Sequence, residues 1–406
     1  MTFRIAETPP MSVRPNFRPA GHKPPFWRDR AKRALIFQII VVAAVAAFLI
    51  YIVNNTQTNL DARGITTGFG FLNNTAGFGI GQTLIEYSSQ SSYGRTFVIG
   101  LLNTLLVGGL GVLAASIIGF IVGIARLSPN WLIAKLANAY IETFRNIPLL
   151  LQIFFWYFAV LRSLPSARES MAFGEAIFLN VRGLYLPEPL FESGFGLIPA
   201  TFVVAIIASI ALVIWNKRRH EATGKRLPVF WISLVLIFGL PLLVLVVTGV
   251  PVTWEMPVLR GFNFGGGITI IPEFLALWLA LSIYTASFIA EIVRSGIQAI
   301  PHGQTEAAQA LSLPRKLVLR LVVIPQAMRV IIPPLTSQYL NLIKNSSLAT
   351  AIGYPDLVSV FAGTTLNQTG QAIEVIAMTM AVYLIISLLV SMFMNWFNAR
   401  VALVER

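Results

Sequence analysis

Cysteine is absent from this 406-residue chain, which excludes disulfides and thiolate metal sites and says nothing further of redox compartment. Charge is scarce: Asp, Glu, Lys and Arg together make up 12% of the residues. The three histidines, His22, His220 and His302, are scattered through polar segments. Their spacing suits no ligand set, so no metal site is expected. The loop that cradles nucleotide phosphates, Gly-x-x-x-x-Gly-Lys-Ser/Thr, is also missing, and Gly224-Lys225-Arg226 lacks the rest of it. Neither a nucleophile elbow nor His-Glu-x-x-His occurs. The chain is therefore expected to hydrolyse no ATP by itself, to hold no cofactor, and to be no enzyme.

What is present in quantity is apolar surface. Hydrophobic residues reach 56% and the mean hydropathy is +0.73, more than a soluble domain of this length can cover. Long uninterrupted apolar runs mean helices, because a membrane barrel would read as short alternating strands. The class is an all-α integral membrane protein with about eight spans, at 34–53, 97–125, 147–163, 196–216, 228–250, 270–292, 326–348 and 374–397. The first run is about 20 residues long, enough for a hydrocarbon core of about 30 Å. It is read as a permanent span, since a cleaved leader would be shorter.

The formal charge of +13 is clustered by loop rather than spread over one face, which argues against nucleic acid as a partner. Cations fill residues 1–33 with Arg4, Arg14, Arg18, Lys23, Arg28, Arg30, Lys32 and Arg33, and segment 216–226 with Lys217, Arg218, Arg219, Lys225 and Arg226. Other alternate segments hold Arg126, Lys135 and Arg145, then Arg294, Arg315, Lys316 and Arg320, whereas Glu169, Glu175, Glu188 and Glu192 fall between the third and fourth spans. Eight spans put every basic segment on one side, so both termini are expected in the cytoplasm. The basic tail 1–33 then rests against anionic lipid headgroups.

The longest outer segment, 54–95, is rich in Gly, Asn, Thr and Phe and repeats itself weakly around Gly68-Phe69-Gly70 and Gly77-Phe78-Gly79. Two readings stand for it: a connector whose aromatics touch the lipid interface, or a docking surface for an external partner.

Between Gly303 and Pro325 a polar loop is wedged between two membrane-length stretches. It carries Gly303, Gln304, Glu306, Ala307 and Ala308, then Ser312, Pro314, Arg315, Lys316 and Arg320, and ends at Val322, Ile324 and Pro325. This spacing resembles the cytoplasmic Glu-Ala-Ala signature of permease subunits in binding-protein-dependent ABC importers. Ala290 to Ile297 and the stretches 140–150 and 341–348 are similar to the polar amino acid (histidine/glutamine-type) branch. The length resembles the long, Q-type subunits of general L-amino acid importers. The likeness divides the chain into core blocks 96–163 and 269–406, the second including the loop 298–325, with 164–268 interposed and carrying two spans.

The resemblance implies an ABC importer permease fold in a bacterial cytoplasmic membrane, translocating L-amino acids. It implies an ATPase partner in two copies, which binds ATP and magnesium and grips the loop, with Glu306 in polar contact. It also implies a second, related permease subunit and an extracytoplasmic amino-acid-binding protein, with membrane lipid around the whole. The departure is Ser312, where glycine is usual. Glycine takes a left-handed backbone at a helix end at little cost, where serine pays a steric penalty. Either the turn takes another geometry, with Ser312 capping the next helix ahead of Pro314, or coupling to the ATPase is altered.

Candidates for the substrate path lie in the seventh span, where Asn341, Lys344, Asn345, Ser346 and Ser347 follow the Pro333-Pro334 kink, with Ser282 and Thr285 on the sixth. These polar groups either glue helices together, with Lys344 snorkelling, or line a pore for a zwitterion. Glu142 and Arg145, three residues apart, are expected to pair on one helix face, and Glu291 with Arg294 forms a similar lead-in. An ion-coupled secondary transporter is the alternative. It would bury acids mid-membrane, but Glu142, Glu291, Glu273 and Glu374 all fall near span ends.

Overall fold

The computed structural model describes residues 30–62, 64, 67–224 and 227–401; most of the basic tail, and Lys225 and Arg226, lie outside them. Two compact units divide at Thr67. The described part of the first is dominated by one helix, α1 (Arg30–Ala62), 33 residues long, whose apolar span has no buried residue.

The second unit begins with a short 3-10 turn (Phe69–Asn73) and α2 (Tyr93–Ala125). Next come α3 (Trp131–Asn146) and α4 (Leu149–Phe154), the latter continuing through a π turn to Ser163. Asn130 caps α3 by accepting the amides of Leu132 (3.0 Å) and Ile133 (3.3 Å). Pro148 stops it, and the chain bends by 105° into α4. The third span is thus the outer limb of a bent pair, and α3 was not separated from the loop in the sequence. Counting the pair as one span gives eight.

The interposed block contains strands that the hydropathy pattern did not announce. β1 (Met171–Phe173), β2 (Ile177–Asn180), β3 (Gly183–Leu186) and β4 (Glu188–Phe191) precede a helical hairpin of α5 (Leu197–Thr223), α6 (Val229–Leu234) and α7 (Leu240–Val247). β5 (Val252–Glu255), β6 (Val258–Arg260), β7 (Asn263–Gly265) and β8 (Ile268–Ile270) follow it. The two flanks zip together: β8 joins the antiparallel sheet β1-β2-β3 with Tyr185 opposite Thr269, and β4 pairs with β5. Phe178 and Tyr185 pack on Phe264 at 4.6 and 4.9 Å between ring centres. The protein is mainly helical, with a small β cap at one end.

From β8 the chain enters α8 (Pro272–Gln298), opened by Pro272 and Glu273 in its first turn. It continues through α9 (His302–Ala310), α10 (Arg315–Val318), α11 (Ile324–Asn345), α12 (Leu366–Thr369) and α13 (Ala372–Val401). α8 is the centre of the core, with Leu277, Leu281, Ile289 and Ala290 fully buried. It packs on α2, α3, α4 and α11. At 27 residues it is about 40 Å long, carrying the β cap at one end and α9 at the other.

Its tightest seam is with α2. A methyl group on Gly119 would sit 2.6 Å from Ile289, and one on Gly123 would sit 2.7 Å from the Ala290 carbonyl. Small residues at four-residue spacing let two membrane helices touch backbone to side chain, which is how helices associate where lipid removes the hydrophobic drive. Gly119→Ala is expected to destabilise the purified chain by about 1–3 kcal/mol through overpacking. Gly109→Ala, with nothing within 4 Å, should leave the thermal midpoint in detergent at or above wild type. Equal midpoints for the two variants would contradict the seam.

Candidate functional site

The inner end of α8 leads through Pro301 into α9. Ala308 is buried against Val318 and Val323, with Ile297, Ile300 and Leu313 packed around them. That contact makes α9 one body with the base of α11. On the other side Gly303, Gln304, Glu306 and Ala307 are all exposed, and Gln326 donates to Gln304 across 3.4 Å. Small residues beside one carboxylate leave a helix face that another backbone can approach closely. Pro325 stands in the first turn of α11.

α9 ends at Ser312, which has φ = 58°. The Ser312 amide donates to the Gln309 carbonyl (2.8 Å) and the Leu313 amide to the Ala308 carbonyl (3.3 Å), the reciprocal pair of a Schellman turn. The next helix has Pro314 as its N-cap with no side-chain cap. Ser312 therefore does not cap α10; it holds the left-handed turn that glycine adopts freely. The reason is covalent continuity: α9 must stop and reverse before Pro314, and both hydrogen bonds require that backbone whatever the side chain.

Above α9, Arg126 at the end of α2 and Arg294 of α8 both donate to Glu291, and Glu142 of α3 lies 3.9 Å from Arg126. Arg145 instead sits over the Phe288 ring at 5.3 Å. Glu142 and Arg145 thus do not pair with each other; each ties α3 to a different neighbour. The cause is packing, for Ala137 and Ile141 bury the α3 face against the core and leave the charges to reach sideways.

Further along, α11 and α13 flank an open, mainly apolar groove of about 440 Å³ lined by Lys344, Ser347, Val358, Thr379, Met380, Tyr383, Leu384 and Ser387. Of the residues expected on the substrate path, Lys344 and Ser347 share this groove. Asn341 is exposed and Asn345 half-buried on α11. Ser346 is buried, its hydroxyl donating to the Ile343 carbonyl at 2.7 Å. Ser282 and Thr285 are buried in α8 among core side chains, apart from the groove. The α13 wall was missed, although Thr379, Tyr383 and Ser387 recur every four residues in an otherwise apolar run and so mark one helix face.

Over residues 223–403 the chain matches the family described as binding-protein-dependent transport system inner membrane component. The permease protein YhdX of Escherichia coli (strain K12), named for amino-acid ABC transport, is 58% identical over 92% of this chain and 95% of its own. The general L-amino acid transport system permease protein AapQ of Rhizobium johnstonii is 52% identical over the whole of both chains. BztB of Rhodobacter capsulatus, a glutamate/glutamine/aspartate/asparagine transport system permease protein, is 42% identical over 93% of this chain and 96% of its own.

The chain belongs to the ABC importer permease family.

Because AapQ aligns from end to end, the interposed block has a counterpart there. Nothing in these relatives favours the ion-coupled alternative. Family membership makes this permease a multi-pass membrane protein that works with an ATPase and a binding protein.

Behind the groove stands a residue that the sequence reading passed over. Asp356 is fully buried in the turn between the 3-10 end of α11 and the π turn at Val358–Thr365. Its carboxylate accepts from the Ser359 amide (2.8 Å) and from the Tyr383 hydroxyl (3.4 Å). The turn is bolted to α2: Asn103 donates to the Pro355 carbonyl (2.9 Å) and the Leu357 amide to the Thr104 hydroxyl (3.0 Å). The signal was a lone acid in a Gly-Tyr-Pro-Asp turn, too short to stand out.

Two predictions follow from this geometry. Ser312→Gly removes a side-chain penalty of about 1 kcal/mol in the left-handed region, so amide exchange in α9 should slow; unchanged or faster exchange would argue against the strained turn. Burial pushes the Asp356 carboxyl up to about 7. A carboxyl raised above its unfolded value favours the fold while protonated, and that contribution is lost as pH rises through about 7. The thermal midpoint in detergent should therefore fall between mildly acidic and alkaline pH, and Asp356→Asn should flatten that profile.

Proposed function

We propose that this permease is the membrane-spanning subunit of an ATP-driven importer carrying L-amino acids across a bacterial cytoplasmic membrane. The substrate class is supported by the names of AapQ and BztB. The chain itself is non-catalytic. Two copies of an ATPase, with their ATP and magnesium, supply the work; a second, related permease subunit completes the pathway; an extracytoplasmic binding protein delivers the amino acid.

The observation that carries this reading is α9. Its exposed Glu306-Ala307 face is the surface offered to the ATPase, and buried Ala308 passes displacement to α8 and α11. A push on α9 cannot be absorbed locally, since the turn at Ser312 is closed by two backbone hydrogen bonds. It travels instead along α8 toward the cap and along α11 toward the groove. There the Lys344 ammonium suits the carboxylate of a zwitterion, while the hydroxyls of Ser347, Thr379 and Tyr383 donate to the Lys344 carbonyl, the Val375 carbonyl and Asp356. The Glu291 cluster supports the same motion by clamping α2 and α8 together at their inner ends.

Glu306→Lys tests the reading. The variant should insert at wild-type level, because Glu306 is exposed, and should lose at least tenfold in ATP-dependent amino acid uptake by vesicles holding all subunits. Wild-type uptake at matched expression would refute the docking face.

A further inference from the structure

The hairpin α5–α7 contributes nothing to the buried apolar clusters of the permease. Its helices pack on one another, and its flanks are held through the paired strands at its outer end. Ile207, Ile210, Val213, Phe238, Leu242 and Val246 stay more than half exposed. α5 is 27 residues long, about 40 Å, against a hydrocarbon core of about 30 Å. Starting from the cap, its last two turns therefore project past the core at the opposite surface.

The end of α5 is closed by hydrogen bonds. Gly224, with φ = 70°, ends α5 by donating its amide to the His220 carbonyl at 2.9 Å. The Asn216 side chain accepts the Leu227 amide at 3.1 Å. Trp215 near the end of α5 and Phe230 and Trp231 at the start of α6 are each at least half exposed, and exposed indoles near the ends of spans mark the headgroup region. Just beyond them come Lys217, Arg218 and Arg219, with the Arg219 guanidinium 5.2 Å from the Trp215 ring centre. Glu221 is the sole acid of segment 216–226.

We propose that Lys217, Arg218 and Arg219, spaced around the end of α5 with Arg219 beside the indole of Trp215, form a collar that binds the phosphate headgroups of anionic phospholipid and holds the hairpin where the protein core does not. These three cations at the end of α5 meet anionic phosphates beside the aromatic side chains, and they attract the charged surface of the inner leaflet. An acidic protein would use the cations but would leave the flanking indoles and the apolar sides of α5 and α7 in lipid. Lipid satisfies both features at once.

The test uses the full chain in nanodiscs of equal phosphatidylglycerol and phosphatidylcholine, with retained lipids counted by native mass spectrometry after mild release. Wild type should retain phosphatidylglycerol in excess, and K217Q/R218Q/R219Q should lower that excess at least threefold. R218K/R219K, which keeps the charge, should hold it near wild type. Equal retention of the two lipids by wild type, or an undiminished excess in the triple variant, would overturn the site. Because no transport is measured, the outcome is independent of the proposed importer activity. A thermal midpoint for the triple variant within the scatter of wild type shows that it is folded, and its expected loss of lipid is then a loss of the site.

Discussion

The contact on which the rest of the molecule depends is the seam between α2 and α8. Gly119 and Gly123 leave no room for even a methyl group against Ile289, Ala290 and Val293. Inside a bilayer, lipid solvates apolar side chains as well as another helix does, so association comes from close van der Waals fit and interhelical hydrogen bonds. That fit sets α8 in the middle of the unit. From there it meets α3, α4 and α11 and joins the outer cap to α9 as one rigid rod.

Polar groups then fix what sterics alone would leave free to slide. At the inner end Arg126, Glu291 and Arg294 connect the last turns of α2 and α8. Toward the other end, Asn103 and Thr104 hold the Tyr354–Leu357 turn against α2, and Asp356 joins that turn to Tyr383 of α13. Each group is costly to bury alone, so each fastening acts only with its partner in place. A motion entering at α9 has to be carried by whole helices, since the helix ends are tied.

The interposed block follows a different logic. Its β strands close by backbone pairing across the block, Leu184 with Ile270 and Glu188 with Glu255, and its helices gain little from the core. A hairpin with that anatomy depends on the bilayer itself for its position. This is why its charged and aromatic tip matters more than its apolar flanks, which any lipid tail would satisfy equally.

Much of the architecture was legible in the amino-acid order. Apolar runs of membrane length are a one-dimensional property, and so is the alternation of basic and acidic loops, because a bilayer imposes both on a chain irrespective of neighbours. The Glu-Ala-Ala loop could be found the same way, its residues being close in sequence. Hidden from that reading were the bend at Pro148, the β cap built from strands of three or four residues, and the partners of Glu142 and Arg145. Hidden too were the groove wall at Thr379, Tyr383 and Ser387 and the burial of Asp356. Each of these joins residues that lie far apart along the chain or turns on which face of a helix is covered. Composition and periodicity decide that a segment enters the membrane; only the packing of one helix on another decides which of its side chains meet.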